Sequence, residues 1–270
     1  MITALHTAFL TAVLSFAGPL LLSGPTPPCC NDAAIAVTGE PAPPPTPTAD
    51  YDTRKIRGWT VRVNPAIAAK DPALLAATLE ELDHQLYAIT RVIPKPALAR
   101  LMDIEIWVEL DMHKTACMCY HVSKSWLIPN GYNPDKEGTV EIGNAQAFLD
   151  WTKGQPWMVL HELAHGYHDQ VFGYEDPEII AAWRNMADQG VYDKVSHISG
   201  TPRRHYALTN QMEWFAETTE ALYGTNDFHP YVRSELREVD PEGAALVRQL
   251  WELAPVPEGP ARGSETNADS

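Results

Sequence analysis

The chain has 270 residues, of which 45% are hydrophobic and 20% are charged, an ordinary composition for a soluble globular protein. It contains 35 acidic and 20 basic residues, which give a formal net charge of −15 at pH 7. Nucleic acids and anionic membrane surfaces are bound by clustered Lys and Arg, so this balance argues against both classes of partner. We expect one sizeable domain with appended segments.

The N-terminal region resembles a targeting segment. Residues 8–22, "AFLTAVLSFAGPLLL", form an uncharged apolar run of signal-peptide length. We therefore interpret residues 1–36 as a signal peptide or N-terminal hydrophobic segment, expect a secreted protein, and expect no membrane span after processing. Residues 1–7 contain no Lys or Arg, which leaves an uncleaved anchor or a misassigned start as alternatives.

Composition also predicts two unstructured segments. The prolines of "GEPAPPPTPTAD" disfavour a helix or a central strand, so residues 37–54 are predicted to be an extended linker. Residues 255–270 are predicted to be a disordered tail, which places the domain at residues 55–254. The four cysteines are Cys29, Cys30, Cys117 and Cys119, and the last two are predicted to be either buried free thiols or a local disulfide.

Between residues 55 and 254, strand patterns precede most of the helical ones. Alternating segments predict strands at residues 58–64 and 103–110, with a shorter strand at 139–142. Asp-Pro pairs at 71–72, 176–177 and 240–241 each predict a capped helix start. Residues 120–145 are interpreted as a structural loop, with a substrate-facing rim as the alternative, and the aromatic residues of 223–253 as the packing of a C-terminal helical layer. The order of elements favours an α+β domain.

The segment "WMVLHELAHGYHDQ", residues 157–170, contains the strongest functional signal. His161 and His165 are four residues apart, so on a helix they lie on one face and can reach one metal ion. Glu162 lies beside that ion and can take a proton from a metal-bound water. This H-E-x-x-H pattern predicts a zinc site.

A catalytic zinc site needs a third protein ligand. The position six residues after His165 is Val171, which excludes one common three-histidine pattern. His168 is about 10 Å along the helix axis from His161, so we interpret it as a surface residue or a partner of a ligand. A glutamate from a later helix would instead complete a His₂Glu set.

Residues 205–224, "HYALTNQMEWFAETTEALYG", are the strongest source of that glutamate. Asn210 can cap this helix and Gly224 can end it. Glu213 and Glu217 share a face, so one can bind metal while the other hydrogen-bonds a ligand histidine, or both can belong to a charged surface. Glu220 is predicted to be solvated.

Together, "HELAH", the tyrosine at 206 and "EWFAE" resemble the zinc peptidases that take their third ligand from a downstream glutamate. The likeness is greatest to the group that contains the anthrax lethal factor catalytic domain and the Pro-Pro endopeptidases. It covers roughly residues 156–224. It implies a zincin-like domain in which a small sheet packs on the H-E-x-x-H helix and a helical subdomain follows.

The resemblance also implies a role for each matched residue. His161, His165 and Glu213 would bind one Zn²⁺, and Glu162 would be the base. Tyr206 would stabilise the transition state, and Glu217 would hydrogen-bond a ligand histidine. His205 and His197 are reserve candidates for the role of Tyr206, because they lie in the same irregular segment before the Glu213 helix.

The expected function is a secreted zinc-dependent endopeptidase that hydrolyses peptide or protein substrates. Two other functions are compatible with the motif: a catalytically degenerate metal-binding protein, and a zinc hydrolase of a non-peptide amide. An intact Glu162 counts against the first of these.

Overall fold

The computed structural model describes residues 44–112, 115 and 117–252. Within them, five strands form one sheet in the order β1-β2-β3-β5-β4. The strands are β1 (Asp52–Ile56), β2 (Trp59–Val63), β3 (Ile106–Val108), β4 (Met118–Tyr120) and β5 (Val140–Ile142). β2, β3 and β5 are parallel, whereas the outer strands β1 and β4 are antiparallel to their neighbours.

Because successive side chains point to opposite faces of a strand, this sheet has two different faces. One face is apolar and contributes three paired, fully buried residues to the core: Val61, Ile106 and Val140. The next residue of each of these strands turns to the other face, where Arg62, Trp107 and Glu141 are in register and Cys119 pairs with Glu141. This second face is therefore polar near β4 and β5.

Helices account for most of the remaining described residues. They are α1 (Pro65–Lys70), α2 (Pro72–Val92), α3 (Lys95–Asp103), α4 (Lys124–Leu127), α5 (Ala145–Trp151), α6 (Met158–Tyr167), α7 (Pro177–Asp188), α8 (Gln211–Tyr223), α9 (Arg233–Val239) and α10 (Pro241–Glu252). The α+β class expected from the sequence is confirmed. Among the described helices, none is both long and apolar enough to cross a bilayer.

The predicted helix starts are confirmed at α2, at α7 and at α10, where Asp240 Oδ1 accepts a hydrogen bond from the Gly243 N–H (2.9 Å). The Asp71 carboxylate accepts a hydrogen bond from the Leu74 N–H (2.9 Å), and Asp176 caps α7 in the same way. Pro72 and Pro177 occupy the first turns, where the missing N–H costs nothing. The predicted C-terminal helical layer is also present, since α9 and α10 pack on α8 and Trp251 of α10 is buried.

α6 lies between the sheet and the C-terminal helices. It packs on β4 and β5 on one side and on α8 on the other. A Cβ at Gly166 would be 2.7 Å from Ile104 Cδ1 and 3.0 Å from the Tyr120 ring, so glycine allows this close approach. The stacked rings of Tyr167 and Trp251, 4.1 Å apart, join the end of α6 to α10.

The folded domain begins before residue 55, the position at which the sequence predicted the end of the linker. β1 starts at Asp52, Tyr51 is buried, and Asn133 Nδ2 donates to the Thr46 carbonyl (3.1 Å). Prolines exclude a central strand, but they permit a 3-10 turn at residues 48–50 followed by an outer strand. Predictions for residues 1–36 and 255–270 lie outside the described residues.

Two other segments differ from the sequence-based prediction. The predicted strand at 103–110 is limited to β3, because α3 continues to Asp103. The stretch interpreted as a loop at 120–145 contains the helix α4, and β4, which the sequence pattern did not reveal, ends at Tyr120. Strands of three residues are too short to give a clear alternation.

Candidate metal centre

The motif helix α6 brings the two histidines together as predicted. All ten of its residues are buried, and the rings of His161 and His165 are 4.7 Å apart. Helical hydrogen bonding continues beyond Tyr167 as a π-helical turn at residues 168–172, and Gly173 ends it with φ +80°. The helical segment that carries the motif therefore ends at Phe172.

α8 brings Glu213 to the same place. Asn210 caps the helix as predicted, because its Oδ1 accepts a hydrogen bond from the Glu213 N–H (2.9 Å). Glu213 Oε2 lies 3.1 Å from His161 Nε2 and 3.3 Å from His165 Nε2. In tetrahedral zinc sites with bonds of about 2.0–2.1 Å, neighbouring donor atoms are about 3.3 Å apart. These three side chains are therefore spaced as the ligands of one small cation would be.

Unpaired buried atoms give a separate test of that fit. Both ring nitrogens of His165 and Oε1 of Glu213 are buried and have no hydrogen-bond partner among the described residues. Such atoms normally find a partner, because leaving one unpaired costs about 1–3 kcal/mol. A divalent cation at the centre would be a partner for His165 Nε2 and for the Glu213 carboxylate. The residues present therefore fit a zinc-type ion.

The ionisation of Glu213 also suits a ligand. Burial alone would raise the pKa of its carboxyl group, but the contacts with His165 and His161 outweigh burial and lower the pKa to about 2. Glu213 is therefore a carboxylate at neutral pH, the form that binds metal.

The carboxylate that orients His161 is Glu220, which corrects two predictions. Glu220 Oε1 lies 2.6 Å from His161 Nδ1, whereas Glu217 Oε1 lies 3.8 Å from it. Glu220 is buried rather than solvated. With a metal ion bound at Nε2, this hydrogen bond would hold the imidazole proton on Nδ1.

Glu217 instead belongs to a neighbouring acidic cluster. Its Oε2 accepts a hydrogen bond from Asn226 Nδ2 (2.8 Å). Burial, and then the charge of Glu220, raise the pKa of Glu217 well above its usual value. Burial likewise raises the pKa of Asp227, which is 3.2 Å from His197 Nε2.

Glu162, the predicted base, lies next to the edge strand β4. It is buried, and its Oε2 accepts a hydrogen bond from the backbone N–H of Tyr120 (2.9 Å). This bond orients the carboxylate relative to the histidines on either side of it in α6. The sequence did not reveal Tyr120 as a partner, since β4 was not predicted.

Tyr206 lies at the solvent side of the centre. It opens a 3-10 turn at residues 206–208, its ring centroid is 6.5 Å from that of His161, and 36% of the residue is exposed. It is thus close to a potential ligand and accessible to a substrate.

The two reserve histidines have other contacts. His205 is buried between the rings of Tyr192 and Phe228, and its Nδ1 accepts the Ala207 N–H (3.1 Å). His197 Nδ1 accepts the Ser199 N–H (3.1 Å). Both rings therefore have structural roles in the chain before α8.

His168 is not the surface residue that was expected. It is fully buried, and neither ring nitrogen has a hydrogen-bond partner among the described residues. Its ring lies 5.0 Å from that of Tyr174 and 4.9 Å from that of Phe215. Burial, with a smaller effect from His165, lowers its pKa to about 3, so the ring is neutral at pH 7.

Comparisons of the chain with protein-family models, with curated proteins and with solved structures gave no match. The sequence does contain a signal for Glu220, which is seven residues after Glu213 and so shares its helix face.

Proposed function

We propose that this chain is a zinc-dependent endopeptidase whose catalytic ion is bound by His161, His165 and Glu213. The observation that carries the proposal is the convergence of these three buried side chains, with donor atoms 3.1 and 3.3 Å apart, beside the Glu162 carboxylate. Structural zinc sites have four protein ligands, whereas catalytic sites have three and an open position. A His₂Glu set supports the catalytic type.

Each catalytic side chain has one task. A bound Zn²⁺ supplies a Lewis acid that polarises a carbonyl and lowers the pKa of a water molecule towards about 7. Glu162, oriented by the Tyr120 N–H, accepts the proton of the attacking water and then gives it to the leaving amine. The Tyr206 hydroxyl donates a hydrogen bond to the oxyanion that develops on the attacked carbonyl.

The architecture supports a zincin-like domain. The H-E-x-x-H helix packs against a small mixed sheet whose outer strand β4 is antiparallel, and the glutamate comes from a later helix. The resemblance to the lethal factor and Pro-Pro endopeptidase group implies a small sheet packed on this helix and a glutamate from a later helix. A peptide or protein substrate follows from the same proposal.

The experiment that tests this function is a peptide-library digest analysed by mass spectrometry. Wild-type protein should cleave peptides and lose the activity when zinc is chelated. Glu162→Gln should retain its zinc and lose cleavage, because it removes only the base. Glu80→Gln, at an exposed position of α2, is the matched control and should remain active.

Two outcomes would favour the other functions. Zinc binding without any cleavage by the wild type would indicate a catalytically degenerate metal-binding protein. Cleavage of small amides but not of peptides, lost in Glu162→Gln, would indicate a non-peptide amidase.

Secretion is part of the proposal and rests on the apolar run at residues 8–22. Protein recovered outside the producing cell should have its N-terminus between about residues 24 and 50. Soluble cytoplasmic protein that retains Met1 would contradict this.

A further inference from the structure

A second group of possible metal ligands lies on the polar face of the sheet. Cys119 of β4 pairs with Glu141 of β5, and His121 follows two residues after Cys119. All three are buried. Each offers one ligand atom, and these sulfur, nitrogen and oxygen atoms all lie within 4.8 Å of one another. None of the three belongs to the centre formed by α6 and α8.

The spacing can be compared with that of a tetrahedral zinc site. Cys119 Sγ is 3.7 Å from His121 Nε2, and zinc bonds of about 2.3 Å to sulfur and 2.0–2.1 Å to nitrogen would place these atoms about 3.6 Å apart. His121 Nε2 is 2.5 Å from Glu141 Oε2, a hydrogen-bond distance. That contact would open to about 3.3 Å around an ion.

The net charge of the neighbouring side chains determines whether this group needs an additional positive charge. The Lys136 ammonium, itself buried, binds the other oxygen of Glu141 and also Glu109 Oε1 (2.6 Å). One ammonium against two carboxylates leaves one negative charge uncompensated, and a buried unpaired charge is costly. A proton on His121 would compensate it while Cys119 remains a thiol.

A divalent ion would compensate the same charge. When Cys119 is a thiolate and His121 is neutral, one Zn²⁺ balances the thiolate and the uncompensated carboxylate. The ion thus replaces two protons, one from the thiol and one from the imidazolium, with no change in buried charge. Glu141 has one oxygen directed at Lys136 and the other at His121, so the lysine need not be displaced.

We propose that Cys119, His121 and Glu141 bind a second zinc ion, at a sulfur-containing site on the polar face of the sheet. The ion would tie β4 to β5 and to the chain that follows β4. Since β4 also orients Glu162 through the Tyr120 N–H, this site would secure the strand beside the catalytic base. This site shares no residue with the α6–α8 centre, so the proposal does not depend on peptidase activity.

The test uses protein from zinc-supplemented and from cobalt-supplemented medium, because a buried site is loaded as the chain folds. Elemental analysis should find two zinc ions per wild-type chain. The cobalt protein should show a thiolate-to-metal charge-transfer band in the near ultraviolet, which His161, His165 and Glu213 cannot produce. Cys119→Ser should lose one ion and the whole band.

Cys117→Ser is the matched control, since Cys117 is on the same strand region and equally buried, but its Sγ contacts Met158 Sδ (3.4 Å). It should keep both ions and the band. The double variant His161→Ala/His165→Ala should keep one ion and the band, which separates the two sites.

Two results would overturn the proposal without relying on a substitution at Cys119, His121 or Glu141. One would be a wild-type cobalt protein that has no thiolate band. The other would be a zinc content of one ion per chain that falls to zero in the His161→Ala/His165→Ala protein. Either would show that protons alone balance the charge of the group. A band that persists in Cys119→Ser and disappears in Cys117→Ser would also overturn the assignment.

Discussion

Glu220 gives the sharpest test of the centre, because the family resemblance assigned its role to Glu217. Glu220 forms the short 2.6 Å contact with His161 Nδ1 and is buried. Glu220→Gln keeps the shape of the side chain but replaces the carboxyl group by an amide, which cannot carry a negative charge. Removing such a partner of a ligand histidine typically weakens metal binding about 10- to 100-fold, or about 1.4–2.7 kcal/mol.

Glu217→Gln is the matched control on the same helix. Glu217 is 3.8 Å from His161 Nδ1, beyond hydrogen-bond distance, and burial and the charge of Glu220 raise its pKa and so favour its neutral form. Its replacement is expected to leave zinc affinity unchanged or slightly higher. Glu220→Asp, one methylene shorter, should recover part of the loss.

Zinc affinity is measured by competition with a chromophoric chelator, in a Cys119→Ser background so that only the α6–α8 centre contributes. Circular dichroism and melting curves establish that each variant is folded. The role of Glu220 is refuted if Glu217→Gln weakens zinc binding tenfold or more while Glu220→Gln does not. That result would restore the assignment that the resemblance implied.

Three further predictions address catalysis, pH and packing. Tyr206→Phe should lower kcat about 10²- to 10³-fold at unchanged KM and zinc content, and unchanged steady-state kinetics would assign the ring to packing. Burial lowers the pKa of His168 to about 3 in the folded protein, whereas a histidine in the unfolded chain has a pKa of about 6.5. Below pH 6.5 the unfolded chain therefore binds more protons than the folded one. The contribution of His168 to stability is complete above that pH and is lost as the pH falls. The wild type should therefore lose more unfolding free energy than His168→Phe between pH 7 and pH 5, by about 2 kcal/mol. Denaturant titrations at the two pH values measure this difference. An unaltered pH dependence in the variant would contradict the buried neutral ring. Gly224→Ala should destabilise the fold by about 1–3 kcal/mol, because the new Cβ would be 2.2 Å from the Trp157 ring. Gly154→Ala, whose Cβ would meet an atom at 3.8 Å, is its control in the same melting experiment, and equal melting temperatures of the two variants would argue against the clash.

The sequence by itself determined the features that depend on local periodicity and capping. The four-residue spacing places His161 and His165 on one helix face whatever surrounds the helix, because 3.6 residues make one turn. Asn210 predicted the start of α8, since its side chain satisfies an N–H that no earlier carbonyl can reach. Glu213 was predicted as a ligand by resemblance, and its distances to both histidines support that assignment.

Only the tertiary structure decided which partners meet across elements. Glu213, Glu217 and Glu220 share one face of α8, so the way α8 crosses α6 determines that Glu220 reaches His161 Nδ1. No local pattern encodes that crossing, because it depends on how side chains from both helices pack together.

The contacts on the polar face of the sheet are also determined by the tertiary structure. Cys119 and Glu141 are 22 positions apart in sequence and become neighbours because β4 and β5 pair in one particular register. A shift of one residue would turn Glu141 into the apolar core, where its charge would have no partner. The burial of Val140 and Ile142 selects the register, and that choice places the charged residue among Cys119, His121 and Lys136.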